Sequence, residues 1–219
     1  MDNPKPPPWI LPAVVVGQVL ATSLWFAPNA VMASLSSHWA FPGGEGLVTA
    51  AVQLGFIVGT LAFAVLGLAD RFRPSRLFCL SAIAAATANL SVVGFPGTLW
   101  GVLGARFLVG FFLAGVYPVG MKIAAGWYPG GLGRALGFLV GALVLGTSLP
   151  HLIAGLGLEW DWRWVMASAS VAAVAGGMGV GMIPEPSRVP ARGAVRFRGV
   201  LAAFRRPRFR AAAMGYFGH

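Results

Sequence analysis

The chain has 219 residues, of which 57% are apolar and only 10% are charged. Soluble domains carry charge on about a quarter of their residues, so this composition excludes an ordinary water-soluble fold. The net charge of +10 would suit a nucleic-acid-binding protein, but the basic residues cluster between and after long apolar runs, where lipid headgroups attract them. We therefore expect a membrane protein that binds no nucleic acid.

Six apolar runs follow one another along the chain, and each is long enough to cross about 30 Å of hydrocarbon as a helix. Strands in a membrane barrel would alternate apolar and polar residues, which these runs do not, so helices are predicted. The predicted fold class is an all-α membrane protein with six transmembrane helices. The runs cover approximately residues 9–35, 47–68, 77–94, 99–121, 135–158 and 164–183.

The first run begins shortly after Lys5, and residues 31–34 (VMAS) loosely resemble a signal-peptide cleavage site. The run is too long for the apolar region of a secretory signal, and five further runs follow it. We interpret it as a retained first membrane helix.

The connections between the runs alternate between poor and rich in Lys and Arg. By the positive-inside rule, this pattern predicts a multi-pass protein of the cell membrane with both termini in the cytoplasm. The connections at 36–46 and 95–98 contain neither residue. The basic residues of the others are Arg71, Arg73 and Arg76 in the second connection, Lys122 and Arg134 in the fourth, Arg163 beside two acids in the fifth, and eight arginines after Ile183.

Polar side chains recur at helical spacing inside three of the runs. An ionisable group in hydrocarbon costs several kcal/mol, so Arg106 in the fourth run is a functional candidate by default. Tyr117 lies three turns further along the same face, and His151 in the fifth run follows Ser148 by about a turn. The predicted cavity-lining set is Gln18, Thr22, Trp25, Asn29, Arg106, Tyr117 and His151.

A water-filled cavity between the first, fourth and fifth runs would let Arg106 attract an anionic or polar solute and let His151 exchange a proton. Three of these residues also have a structural interpretation. Arg106 would then pair with a structural partner or extend to the headgroups, His151 would only pack helices, and Trp25 would anchor the interface. Asn89, alone in the third run, is expected to hold neighbouring helices together.

After Ile183 the chain is rich in Pro and Arg up to residue 210. Phe197, Val200, Leu201 and Phe204 follow the spacing of one helix face, which predicts a short basic amphipathic helix on the headgroups. A disordered, solvated linker is the alternative. The predicted domains are a six-helix unit (1–183), this basic linker (184–210) and the start of a seventh span (211–219).

Three motifs together resemble the N-terminal half of the major facilitator superfamily of secondary transporters. They are GLADRFRPSR (67–76) after the second run, RFLVG (106–110) in the fourth and WRWV (162–165) at the start of the sixth. The signature loop of that family has the form G-x-L-a-D-R-x-G-R-K/R. Asp70 and Arg71 match its D-R, whereas Arg73 stands in place of its second glycine.

The resemblance implies that the six helices form two inverted three-helix repeats. It also implies that Arg106 helps to bind substrate or to organise proton coupling. The antiporter pattern of the family is absent from the fifth run. The resemblance further implies a gating loop of Gly67, Asp70, Arg71 and Arg76, and a face for helix packing of Gly110, Gly115 and Pro118.

The expected function is therefore transport of a small polar or anionic solute by alternating access, with proton coupling left open. Members of that family have two such halves, so we expect a fragment that lacks its C-terminal half, or a chain that works with a second copy. The alternative is a non-transporting scaffold or a nonfunctional truncated product. An intramembrane Ser148–His151 protease is disfavoured because both residues lie on one helix. No cofactor or metal is expected, since there is no phosphate-binding motif and Cys79 is the single cysteine.

Overall fold

The computed structural model describes residues 6–32, 34–35, 44–94, 98–155 and 161–185, with a few positions between 205 and 214. Every regular element in these ranges is a helix, which confirms the predicted all-α class. Residues 197–204, predicted as an amphipathic helix, lie outside the described residues, as do most of 211–219. Within the described part of the chain, five helices are long and apolar enough to cross a membrane: Gly46–Val65, Pro74–Gly94, Leu99–Trp127, Pro129–Leu149 and Trp162–Gly181.

The first predicted span differs from these five because its apolar helix, Ile10–Trp25, is shorter. It comprises a helix, a 3-10 turn over Ser23–Trp25 and a second, short helix. The count of six spans therefore stays a prediction. In chain order the helices are α1 (Ile10–Thr22), α2 (Ala27–Ala30), α3 (Glu45–Val65), α4 (Leu68–Arg71), α5 (Pro74–Gly94), α6 (Leu99–Leu113), α7 (Tyr117–Trp127), α8 (Leu132–Gly155) and α9 (Trp162–Gly181).

Prolines explain where two of the spans break. Pro28 is the second residue of α2, and Pro118 is the second residue of α7. Proline lacks a backbone N–H and is tolerated in the first turn of a helix, but it cannot continue the helix before it. The fourth span therefore turns at residues 114–116 before it restarts.

The restarted helix α7 runs to Trp127, beyond the predicted end at 121. Nothing in residues 122–127 stops a helix, whereas Pro129 disfavours helical geometry at Tyr128. Lys122, predicted to lie in a connection, is therefore inside a helix.

The long helices pack in the order α3, α6, α5, α9, α1, α8, each against the next. The first three spans correspond to α1, α3 and α5, and their counterparts among the last three are α6, α8 and α9. If each helix is exchanged with its counterpart, the same contacts result: α3–α6 becomes α8–α1, α6–α5 becomes α1–α9, and α5–α9 is unchanged. The packing therefore has the internal symmetry expected of two three-helix repeats. α7 contacts α5, α8 and α1, and α8 also contacts α9 directly.

The two end helices are the least covered by the rest of the chain. Only 22% of the apolar stretch of α3 and of α8 is buried, against 44% to 50% in the other three long spans. Apolar side chains cover their exposed faces. Those on α3 are Leu54, Ile57, Val58, Leu61 and Val65, and those on α8 are Phe138, Val140, Val144, Leu145 and Leu152.

Glycines allow α3 and α6 to cross closely. A Cβ at Gly55 or Gly59 would overlap the backbone of Phe107 or Phe111, and one at Gly110 would overlap the carbonyl of Val52. Small residues let membrane helices approach in this way.

The small-residue pair Gly137 and Gly141 does not act in the same way among the described residues, because nothing lies within 4 Å of a Cβ placed there. The α1–α8 contact uses Gly146 instead, which faces the backbone of Val19 and the hydroxyl of Thr22.

Replacing Gly110 by Ala is expected to lower the free energy of unfolding in detergent by about 1–3 kcal/mol, because the new methyl group meets backbone that cannot move aside. Gly104→Ala is the matched control on the same helix, since its Cβ would have open space. There the gain in helix propensity should leave stability equal or raise it by up to about 1 kcal/mol. Equal stability of the two variants in an SDS-unfolding titration would contradict the close approach of α3 and α6.

Candidate functional site

Arg106 lies in the fourth span and binds the first span where its helix is interrupted, at Leu24 and Trp25. We call this interruption the break. The side chain of Arg106 is fully buried. One guanidinium nitrogen, Nη1, donates to the carbonyl oxygen of Leu24 at 3.0 Å, and Nη2 donates to that of Trp25. Nε has no partner among the described residues. The arginine therefore binds backbone at the turn where α1 ends.

Pro28 explains why Leu24 needs this donor. In a continuous helix the N–H of residue 28 would bond the carbonyl of residue 24, and proline has none. An unsatisfied carbonyl in a membrane costs several kcal/mol. Arg106 supplies the donor that the backbone cannot, and a charged donor makes the stronger bond.

The positive charge at this break has no carboxylate partner among the described side chains. Asp70, Asp161 and Glu185 each bind other groups near the ends of helices. A buried cation that is bound only by carbonyl dipoles leaves a positive potential around it. The break therefore favours an anion.

The residues of the break also reach the two end helices. The ring of Trp25 meets that of Phe56 on α3 edge to face, with centroids 5.0 Å apart. Phe26 lies on the other side, 6.1 Å from the ring of His151 on α8. The break thus contacts both helices whose outer faces are uncovered.

Asn29 adds a polar contact on the α3 side. Its Nδ2 donates to the hydroxyl oxygen of Thr49 at 2.7 Å, and its Oδ1 is buried without a partner among the described residues. The broken part of the first span therefore holds an acceptor left unpaired among the described residues, the carbonyls that bind Arg106 and the half-buried Trp25 ring.

The other predicted cavity residues differ in exposure. Gln18 and Thr22 are buried between helices, and Thr22 donates to the carbonyl of Gln18 at 2.7 Å. The Gln18 amide faces Gly120 on α7, and neither of its polar atoms has a partner among the described residues. Tyr117 is half-buried at the start of α7 and His151 is exposed. That the predicted cavity-lining residues surround one common cavity stays a prediction.

The remaining predicted packing residues lie at the restart of the fourth span. Gly115 faces Ser81 on α5 and Phe63 on α3, and a Cβ there would overlap both. Pro118 follows three residues later, in the first turn of α7.

The predicted gating loop connects α3 to α5. Gly67 has φ +60°, a left-handed conformation that favours glycine, and it forms the turn between α3 and α4. Asp70 pairs with Lys122 of α7, with Oδ1 and Nζ 2.5 Å apart, and Lys122 also donates to the carbonyl of Ala69. Arg71 and Arg76 are exposed. The loop is thus tied to the fourth span, and its gating role stays a prediction.

Glu185, just after α9, holds the other end of this loop. Its Oε1 accepts from the hydroxyl of Ser75 at 2.7 Å and from the N–H of Ser75 at 3.2 Å, and Arg73 lies 3.9 Å away. An acid at the start of α5 also suits the positive end of the helix dipole.

The sequence analysis missed Thr49, Phe56, Lys122 and Glu185. Thr49 and Phe56 are seven residues apart in the second run, a helical spacing that could have placed both on one face. No sequence pattern indicated Glu185, because only the packing of α9 against α5 brings this residue close to Ser75.

Long apolar helices, a repeated packing order and a buried arginine at a broken span define a multi-pass α-helical membrane protein. The family model of the Major Facilitator Superfamily matches residues 14–218, and the chain belongs to that family.

A curated relative is the niacin transporter NiaP of Acinetobacter baylyi (strain ATCC 33305 / BD413 / ADP1). It is 30% identical over 132 residues, which cover 55% of this chain and 29% of the relative. The match therefore spans less than a third of that protein.

Replacing Arg106 by Gln is expected to lower the free energy of unfolding by about 2 kcal/mol, because two carbonyls at the break lose a charged donor. Arg163→Gln is the control: this arginine is exposed and pairs with Asp161 at 2.9 Å, so its loss should cost less than about 1 kcal/mol. Equal effects of the two substitutions in detergent unfolding would refute a special role for Arg106.

Proposed function

We propose that the chain forms the N-terminal half of a secondary transporter that moves a small organic anion. The observation that carries this proposal is the buried Arg106, whose charge is bound by backbone carbonyls at a broken helix and by no carboxylate of the described side chains. In transporters of this kind, solutes bind near the middle of the membrane where helices are discontinuous.

The proposed solute carries a planar ring as well as a carboxylate. Trp25 and Phe56 place two rings next to the break, and aromatic rings stack favourably on one another. The relative is a niacin transporter, and niacin is a pyridine carboxylic acid that is an anion at neutral pH. The proposed site therefore binds the carboxylate in the field of Arg106 and the ring against Trp25.

Alternating access needs a second six-helix unit, supplied by the same gene product or by a second copy. The uncovered apolar faces of α3 and α8 are the proposed docking faces for this unit. Because the break contacts both of these helices through Trp25 and Phe26, rocking of the two units would change the surroundings of the solute.

His151 is the proposed proton carrier for coupled uptake. Its imidazole is exposed on α8 and lies against Phe26, next to the break. A proton bound by this side chain would compensate the charge of an arriving anion.

The uptake of labelled nicotinate and benzoate into proteoliposomes that contain the complete product of this gene tests the proposal. Trp25→Leu is expected to lower kcat/KM about threefold to tenfold, because a stacking contact is lost. The matched control is Trp164→Leu, whose ring is exposed on α9. Under an imposed proton gradient, His151→Gln should abolish the stimulation of uptake.

Equal uptake by the two tryptophan variants would show that Trp25 does not bind the solute, although the protein would still be a transporter. An absence of uptake of any organic anion by folded protein would instead favour the alternative of a non-transporting membrane scaffold.

The proposed orientation in the cell membrane places both termini in the cytoplasm, as the distribution of arginines indicates. In a Cys79→Ala background, a membrane-impermeant maleimide should label Gly97→Cys in intact cells. It should label Gly130→Cys only after the cells are permeabilised. The reverse pattern would invert the topology.

A further inference from the structure

The outer face of α5 is an apolar stripe with a single cation at one end. Leu80, Thr87 and Leu90 are exposed at helical spacing after Arg76, and the opposite face packs against α6 and α9. The hydroxyl of Thr87 donates to the carbonyl of Ile83 on the same helix, so the stripe below Arg76 offers hydrocarbon no free donor. This stripe is suited to contact with lipid acyl chains.

The stripe of α5 adjoins a second one on α9. The two helices touch where Gly177 and Gly181 meet Cys79. Leu80 and Met182 are each one residue from this contact, and they are 66% and 82% exposed. We call this contact, with the exposed Leu80 and Met182 beside it, the α5–α9 seam; Arg76 lies one turn before Leu80 on α5.

Phe72 lies in the connection that precedes α5 and is 59% exposed. It stands between Arg71 and Arg73, which are also exposed. An exposed ring between cations is typical of a segment that rests at the membrane interface.

The acids near this end are bound to other groups. Asp70 pairs with Lys122, and Glu185 accepts from Ser75 and faces Arg73. Arg76 and Arg71 have no carboxylate partner among the described residues. Their guanidinium groups remain available for an anion.

The proposed docking faces for a second six-helix unit lie on other helices than this seam. They are on α3 and α8, of which 22% is buried, against 50% of α5 and 44% of α9. An apolar surface with a cation at one end that pairs with no described carboxylate suits an anionic lipid better than a second apolar helix face.

We propose that the α5–α9 seam binds one anionic phospholipid. Arg76 binds the headgroup phosphate, one acyl chain lies along Leu80 and Met182, and Phe72 packs beside the glycerol region. The inference concerns a different face from the proposed solute site and does not depend on transport.

Lipid retention in native mass spectrometry tests this site, with phosphatidylglycerol and phosphatidylcholine offered at equal concentration. The intact protein should retain phosphatidylglycerol preferentially. Arg76→Gln should weaken its apparent affinity about fivefold, the effect of losing about 1 kcal/mol for one basic residue at the surface. Arg76→Lys should restore most of the binding, and soluble glycerol phosphate should not displace the lipid.

The control variant is Arg163→Gln, which removes an exposed arginine from the first turn of another long helix, α9, and should leave retention unchanged. Equal retention of the two lipids by the intact protein would overturn the proposal. So would equal loss in Arg76→Gln and Arg163→Gln, which would show a general effect of net charge. Displacement by glycerol phosphate would indicate a free-phosphate site instead.

Discussion

The hydrogen bonds from Arg106 to the carbonyls of Leu24 and Trp25 are the contact on which the rest of the structure depends. Pro28 ends the regular helix and removes the donor that Leu24 would have had. In hydrocarbon that loss must be compensated within the protein. The compensating group is a cation from another span, so the break becomes both rigid and positively charged.

The surroundings of this break follow from the same constraint. A span that turns presents successive side chains in different directions, and here Trp25 reaches α3 while Phe26 reaches α8. Glycines let α3 and α6 approach closely, which brings Phe56 and Arg106 to one region of the bundle. At the other end, Lys122 and Glu185 tie the charged loop to α7 and to the chain after α9. A small number of polar contacts thus organises an otherwise apolar bundle.

Much of this could be predicted from the sequence, because membrane helices must be long and apolar and because a buried arginine is rare. The five long apolar helices and the position of Arg106 inside one of them could be predicted in this way. Its partners did not follow, since Leu24 is 82 residues away in sequence and only packing joins the two. Lys122 was placed in a connection because a basic residue usually marks one. Lys122 is instead a residue of α7, with a half-buried alkyl chain and an ammonium group that binds Asp70.

A double-mutant cycle between Pro28 and Arg106 tests most directly whether the arginine replaces the missing backbone donor. Pro28→Ala restores an N–H that can bond Leu24, so Arg106→Gln should cost at least about 1 kcal/mol less in that background than in the natural sequence. The free energies of unfolding of the four proteins in the same detergent give this coupling. Additive effects of the two substitutions would contradict the account, because they would show that Arg106 stabilises the fold independently of the break at Pro28.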